Sequence, residues 1–199
     1  MKSAVLISFL FFSVALSGCI SERNSLEAID ESEFSFTANT LNRSEDGGAQ
    51  FNLKQHLQFG PTILLWISTG CYGCHEWTNV LNAGIENGSL DNRSIVSVHR
   101  YSDLESLQSL NEVFGSRNNS THYTAWPIAI PNQNTQVIDF KTDALVPGMT
   151  VFEAFENPVT PTLQIINQQG AIVWTATDYW PTDSSLDTVL NALNSIENT

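Results

Sequence analysis

Cys71 and Cys74 enclose Tyr72-Gly73, and two cysteines with two residues between them can close a bridge within one helical turn or open to a dithiol. A thiolate is the attacking species in disulfide exchange, and a second thiol close by resolves the mixed disulfide that forms. That chemistry needs a place that favours the thiolate. Before the pair, Ile63, Leu64, Leu65, Trp66 and Ile67 form an apolar run opened by Gly60-Pro61, too short for a helix and suited to a buried strand. After it, Trp77, Val80, Leu81, Gly84 and Ile85 fall at i, i+3, i+4, i+7 and i+8, the apolar stripe of an amphipathic helix. The cysteines therefore stand where a buried strand becomes a helix, and the first helical turn offers unpaired N–H groups and the positive end of the macrodipole.

The third cysteine has a different setting. Residues 1–18 read as an export leader, with Lys2 followed by an apolar stretch from Ala4 to Leu16 too short to span a membrane. The leader ends Leu16-Ser17-Gly18-Cys19, which resembles the bacterial lipobox, and that resemblance implies a lipidated Cys19 as the new N-terminus. Cys71 and Cys74 then remain as the only pair. A bridge across two residues gains little by loop closure, so its value is chemical more than structural. The formal charge is −13; without residues 1–18 there are 7 basic and 21 acidic residues, a net −14. Such a surface repels phosphate backbones and anionic headgroups, so nucleic acid is not expected as a partner and membrane attachment falls to acyl chains.

The segment from Cys19 to residue 33 is polar and acidic and reads as a tether; the domain is expected over 34–199. Phe34-Ser35-Phe36-Thr37 and Phe51-Asn52-Leu53, with Asp46-Gly47-Gly48 between them, predict an N-terminal β-hairpin. Beyond the central helix, Ile95, Val96 and Val98 predict a second buried strand, and Leu104, Leu107, Leu110 and Phe114 a helix stopping at Gly115. Strand, helix, strand implies a parallel pair with a right-handed crossover. Residues 116–157 read as an insertion, with short strands at Trp126-Pro127 and Val137 to Phe140 and a helical turn from Thr150 to Phe155. Thr162 to Ile166 and Ala171 to Thr175, joined by Asn167-Gln168-Gln169-Gly170, predict a hairpin, and Leu186, Val189, Leu190, Leu193 and Ile196 a closing helix.

This order, with CxxC at the first strand-to-helix junction and Thr160-Pro161 before the last hairpin, resembles the thioredoxin fold, and more narrowly the membrane-anchored TlpA/ResA-like thiol-disulfide oxidoreductases. The resemblance implies an α/β domain with a central mixed sheet flanked by helices, an N-terminal hairpin, and an insertion before the strand led by a cis-proline. It implies that Cys71 attacks and Cys74 resolves, that Pro161 is cis and faces the pair, and that Thr160 offers its backbone to substrate. Tyr72, Gly73 and His75 would modulate the site. The bridge itself is the redox group, with no further cofactor and no metal. The implied partners are exported proteins with disulfides or dithiols and an integral-membrane electron donor, at the extracytoplasmic face of the membrane, with substrate reduction the favoured direction. Departures from the pattern are Gly70 in place of the usual tryptophan before the first cysteine, and Leu65 where cytoplasmic thioredoxin has a buried acid; Glu76 could substitute in part but reads as a solvated charge.

Cys71 to His75 also matches C-x-x-C-H, the attachment site of c-type haem, although the strand-rich context does not suit a small helical cytochrome. Copper carriers of related fold resemble CxxxC with a distal histidine, whereas here the spacing is CxxC and His122 lies in a polar loop. Peroxiredoxins are matched only at Ser68, and zinc would need two more ligands than the pair supplies. A non-catalytic scaffold of the same fold is the remaining alternative. Asn42, Asn87, Asn92, Asn118 and Asn119 begin N-x-[S/T] sequons. Trp66, Trp77 and Trp174 read as core, and Tyr72 and Trp126 as residues that could line a substrate surface.

Overall fold

The computed structural model describes residues 33–197; the leader, Cys19 and the tether to residue 32 lie outside the described residues. The elements follow as β1 (Phe34–Ser35), β2 (Thr37–Asn39), β3 (Gln50–Asn52), α1 (Leu53–His56), β4 (Thr62–Ile67), α2 (Tyr72–Glu86), β5 (Ile95–His99), α3 (Leu107–Leu110), β6 (Ile128–Ala129), β7 (Gln136–Asp139), β8 (Leu145–Thr150), α4 (Val151–Ala154), β9 (Thr162–Ile166), β10 (Ile172–Ala176) and α5 (Ser185–Glu197). Five strands make the central sheet in the order β10-β9-β4-β5-β6. β4 runs parallel to β5, which is parallel to β6, and antiparallel to β9, so the sheet is mixed. No described helix is long and apolar enough to cross a membrane.

All six residues of β4 are buried, because the sheet is covered on both faces and a central strand then has no solvent side. Its period of two divides the core. Ile63, Leu65 and Ile67 face Trp77 and Leu81 of α2 and Val189 and Leu193 of α5. Leu64 and Trp66 face Phe36, Phe51, Phe152 and Phe155 from the N-terminal segment and the α4 region. Trp66 Nε1 donates to Gln164 Oε1 at 2.8 Å, and the Gln164 amide donates to the Phe155 carbonyl, so the polar groups within this face are paired.

Three elements differ from the sequence reading, each for a local reason. The expected first strand divides: Phe34–Ser35 pairs with β7, and only Thr37–Asn39 makes the hairpin with β3. Leu53 opens α1 instead of extending β3, because the Asn52 side chain caps the turn by accepting the Gln55 N–H at 2.9 Å. The helix expected through Leu104 and Phe114 is one turn, Leu107–Leu110, followed by a π turn over Asn111–Gly115; Leu104 and Leu107 are exposed, and only Leu110 and Phe114 reach the core. Residues 116–157 are heterogeneous. Ile128–Ala129 completes the central sheet as β6, while β7, β8 and α4 cover its opposite face, with Thr150 and Glu153 forming a capping box at the start of α4. Trp126 is buried, with Nε1 donating to Ser97 Oγ at 2.9 Å, so it cannot line a substrate surface.

His56, at the end of α1, packs its ring against Phe51 at 5.3 Å, and its Nε2 is buried without a partner among the described residues. Burial pushes its pKa down to about 4, against the pull of the Arg93 main chain. A folded-state value below the unfolded one means the unfolded chain binds the proton first, so this stability is full above about pH 6.5 and is lost as the pH falls towards 4. Between pH 7 and 4.5 the wild-type chain should lose about 2 kcal/mol that a His56→Gln variant does not lose. Urea unfolding of both proteins at the two pH values checks this difference; equal losses would contradict it.

Candidate active site

The site is built where β4 ends. Ser68, Thr69 and Gly70 turn the chain, and Cys71 is the N-cap of α2, with extended backbone and its Sγ accepting the Cys74 N–H at 3.1 Å. This is the helix-start setting expected from the sequence, with the first sulfur already receiving one of the unpaired amides. Cys71 and Cys74 are joined by a disulfide, their Cα atoms 5.2 Å apart. The two differ slightly in exposure: Cys71 is 6% exposed and Cys74 0%.

Gly73 faces Pro161. A Cβ on Gly73 would lie 3.1 Å from Pro161 Cδ and 2.2 Å from the Tyr179 carbonyl oxygen, so only glycine lets α2 approach these two segments this closely. The Thr160-Pro161 peptide is cis, as the resemblance implied. Thr160 Oγ1 lies 3.3 Å from Ser68 Oγ, which ties the proline loop to the loop before the cysteines. Among the described residues the Thr160 N–H and C=O have no main-chain partner. Tyr72, Val159, Tyr179 and Trp180 are exposed beside these segments, and the Tyr179 and Trp180 rings meet edge to face at 4.8 Å. Trp77 Nε1 donates to the Asp178 carbonyl at 2.8 Å and fixes the loop that carries them.

His75 does not point free into solvent. Its Nε2 bonds the Thr69 carbonyl at 2.9 Å, and its ring stacks on His122 at 4.2 Å with 12° between planes, flanked by Tyr72 and Phe114. His122, read from sequence as a solvated loop residue, is thus brought against the helix that carries the pair. Burial, reinforced by the facing His75, holds its pKa below the ordinary histidine value, while Glu76 works in the opposite direction. The ring engagement also involves the histidine of the C-x-x-C-H sequence: His75 Nε2 is bonded to the Thr69 carbonyl, and Cys74 is fully buried. No group of three or more His, Cys, Asp or Glu side chains able to hold a metal occurs among the described residues.

Sequence reasoning missed two residues behind the cysteine loop. His99 ends β5 with a wholly buried side chain, and its Nε2 lies 2.7 Å from Glu105 Oε2. The same carboxylate oxygen accepts the Thr69 N–H at 2.8 Å. A polar residue closing the apolar run Ile95 to Val98 was the available signal for His99; nothing marked Glu105.

No family model matches the chain, and no curated protein matches it. Solved structures do. A candidate protein disulfide isomerase from Bacteroides thetaiotaomicron shares 16% identity over 84% of this chain and 90% of its own, with a TM-score of 0.53. The thioredoxin domain of a thiol-disulfide oxidoreductase from Bacteroides vulgatus shares 15% over 80% and 94%, with a TM-score of 0.52. The fold is thioredoxin-like. Peroxidoxin BcpB from Mycobacterium tuberculosis also matches, at 13% identity over 83% and 95% and a TM-score of 0.50, so this likeness establishes architecture and leaves the chemistry to the site.

Proposed function

We propose that this thioredoxin-like chain is an extracytoplasmic thiol-disulfide oxidoreductase that reduces disulfides of exported proteins. The observation that carries the reading is the asymmetric bridge: a two-residue disulfide at the N-cap of α2, its first cysteine retaining 6% exposure and its second none, and its connecting glycine packed on Pro161. A peroxidase is a poorer fit, because its proline and threonine before the reactive cysteine are absent here. In the working direction, a membrane donor supplies two electrons and two protons to open the bridge. The Cys71 thiolate then attacks one sulfur of a substrate disulfide, forming a mixed disulfide and releasing the other substrate sulfur as a thiolate that takes up a proton. Cys74, losing its proton, attacks Cys71 Sγ, frees the second substrate thiolate and restores the bridge. The Thr160 N–H and C=O, without a main-chain partner among the described residues, can pair with an extended substrate strand during these steps. No cofactor beyond the bridge takes part, and the formal net charge of −13 disfavours nucleic acid.

The site's location follows from the leader over 1–18 and a lipid on Cys19, which would hold the domain at the outer face of the membrane on an acidic tether. A Cys74→Ser variant tests the mechanism: it stalls after the first attack and should accumulate mixed disulfides with exported proteins, seen as larger species on non-reducing gels that collapse with reductant. If no such adduct forms in cells producing the variant, the exchange mechanism is wrong.

A further inference from the structure

We infer that Glu105, seated by His99, is a positioning residue that holds the loop before Cys71 and biases the Cys71–Cys74 pair towards its bridged form; this rests on the exchange reading above. Thr69 is the hub. Its N–H is held by Glu105 Oε2 at 2.8 Å and its C=O by His75 Nε2 at 2.9 Å, so the same peptide segment is gripped from the turn after β5 on one side and from α2 on the other. The next residue, Gly70, is exposed, and a Cβ there would touch nothing within 4 Å. No side chain anchors the loop at that position, and the hydrogen bonds at Ser68 and Thr69 take over the task.

The protonation of the clasp follows from its geometry. A carboxylate only accepts, so the His99 Nε2 facing it at 2.7 Å is the donor. His99 Nδ1 is buried with no partner among the described residues, and a second proton there would place an unpaired donor in the core, so the ring is neutral. The negative charge thus resides on Glu105. Burial raises the Glu105 pKa, but hydrogen bonds from Thr69 and His99 outweigh it and keep the carboxyl below its ordinary range. An anion bonded to an amide two residues before Cys71 opposes the pull of the α2 N-terminus on a Cys71 thiolate. The thiolate exists only in the reduced protein, so the carboxylate favours the bridge and makes the dithiol the better reductant.

The test uses the full chain carrying Cys19→Ser, so that one pair alone titrates. Two glutathione thiols reduce the bridge, giving the protein dithiol and one glutathione disulfide, and alkylation at graded ratios reads the equilibrium constant. Glu105→Gln keeps an oxygen for Thr69 and removes the charge. It should raise the constant for reduction about tenfold and lower the Cys71 thiol pKa by about one unit, read from alkylation rate against pH. His99→Leu should shift both in the same direction, and the two changes together should do no more than Glu105→Gln alone. A merely structural role would change thermal stability and move neither reading. If folded Glu105→Gln keeps the wild-type constant and thiol pKa, the inference is overturned. Should that variant not fold, Glu105→Asp withdraws the carboxylate from Thr69 by one methylene; the same direction of shift supports the inference and an unmoved equilibrium overturns it. A wild-type pair that fails to cycle would instead refute the exchange reading itself.

Discussion

Replacing Cys71 with serine should abolish disulfide exchange, lowering the rate of reduction of a model disulfide by on the order of a thousandfold or more, because a hydroxyl at the N-cap does not ionise as a thiol does. The fold should survive. The bridge that Cys71 closes spans two residues, worth about 2 kcal/mol by loop-closure entropy. Activity and urea unfolding measured on the same preparation separate the two effects. A folded variant that keeps wild-type exchange activity would mean that the cysteines are incidental to a binding scaffold.

Arg43→Ala carries the largest expected cost in stability, about 3–5 kcal/mol. The guanidinium pairs with Asp46 at 2.7 Å and donates to the carbonyls of Phe114, Thr124 and Trp126 at 3.2, 3.1 and 2.8 Å. Asp46, with no exposed side-chain surface, also accepts the Ile128 N–H at 3.0 Å. One ion pair thus joins the N-terminal segment, the π turn and the strand β6. Truncating the arginine leaves a buried carboxylate without its cation and the Thr124 and Trp126 carbonyls without their donor, while the Phe114 carbonyl keeps the Thr124 N–H, which is why the cost exceeds that of a surface pair. The measurement is the change in unfolding free energy; a loss under about 1 kcal/mol would show that water replaces the arginine freely.

The parts of the site legible in the sequence are those whose signal lies within one element. The apolar run of β4, the stripe of α2 after Cys74, and the two runs of the β9–β10 hairpin each carry a local pattern that their packing requires, and Thr160-Pro161 precedes β9 as read. The illegible parts depend on contacts between distant segments. Ile128–Ala129 is a strand of two residues, too short to show a period, and it exists because Asp46, 82 residues earlier, and β5 hold it. Leu104 and Leu107 fit a helical stripe yet remain exposed, because the chain turns into helix only at Leu107 and the π turn then re-aims Phe114 at His75. The stacking of His122 on His75, and the joint hold of His99 and Glu105 on Thr69, likewise arise only when α2, β5 and their following loops come together.

The reduction potential of the Cys71–Cys74 pair tests the account most directly. In the full chain with Cys19→Ser, alkylation across graded glutathione or dithiothreitol buffers should show one reversible two-electron transition near the potential of thioredoxin, about −270 mV. A value near −120 mV would retain the exchange chemistry and reverse its direction to oxidation. A bridge that neither opens nor re-forms across the whole buffer range would contradict the claim that this site exchanges disulfides.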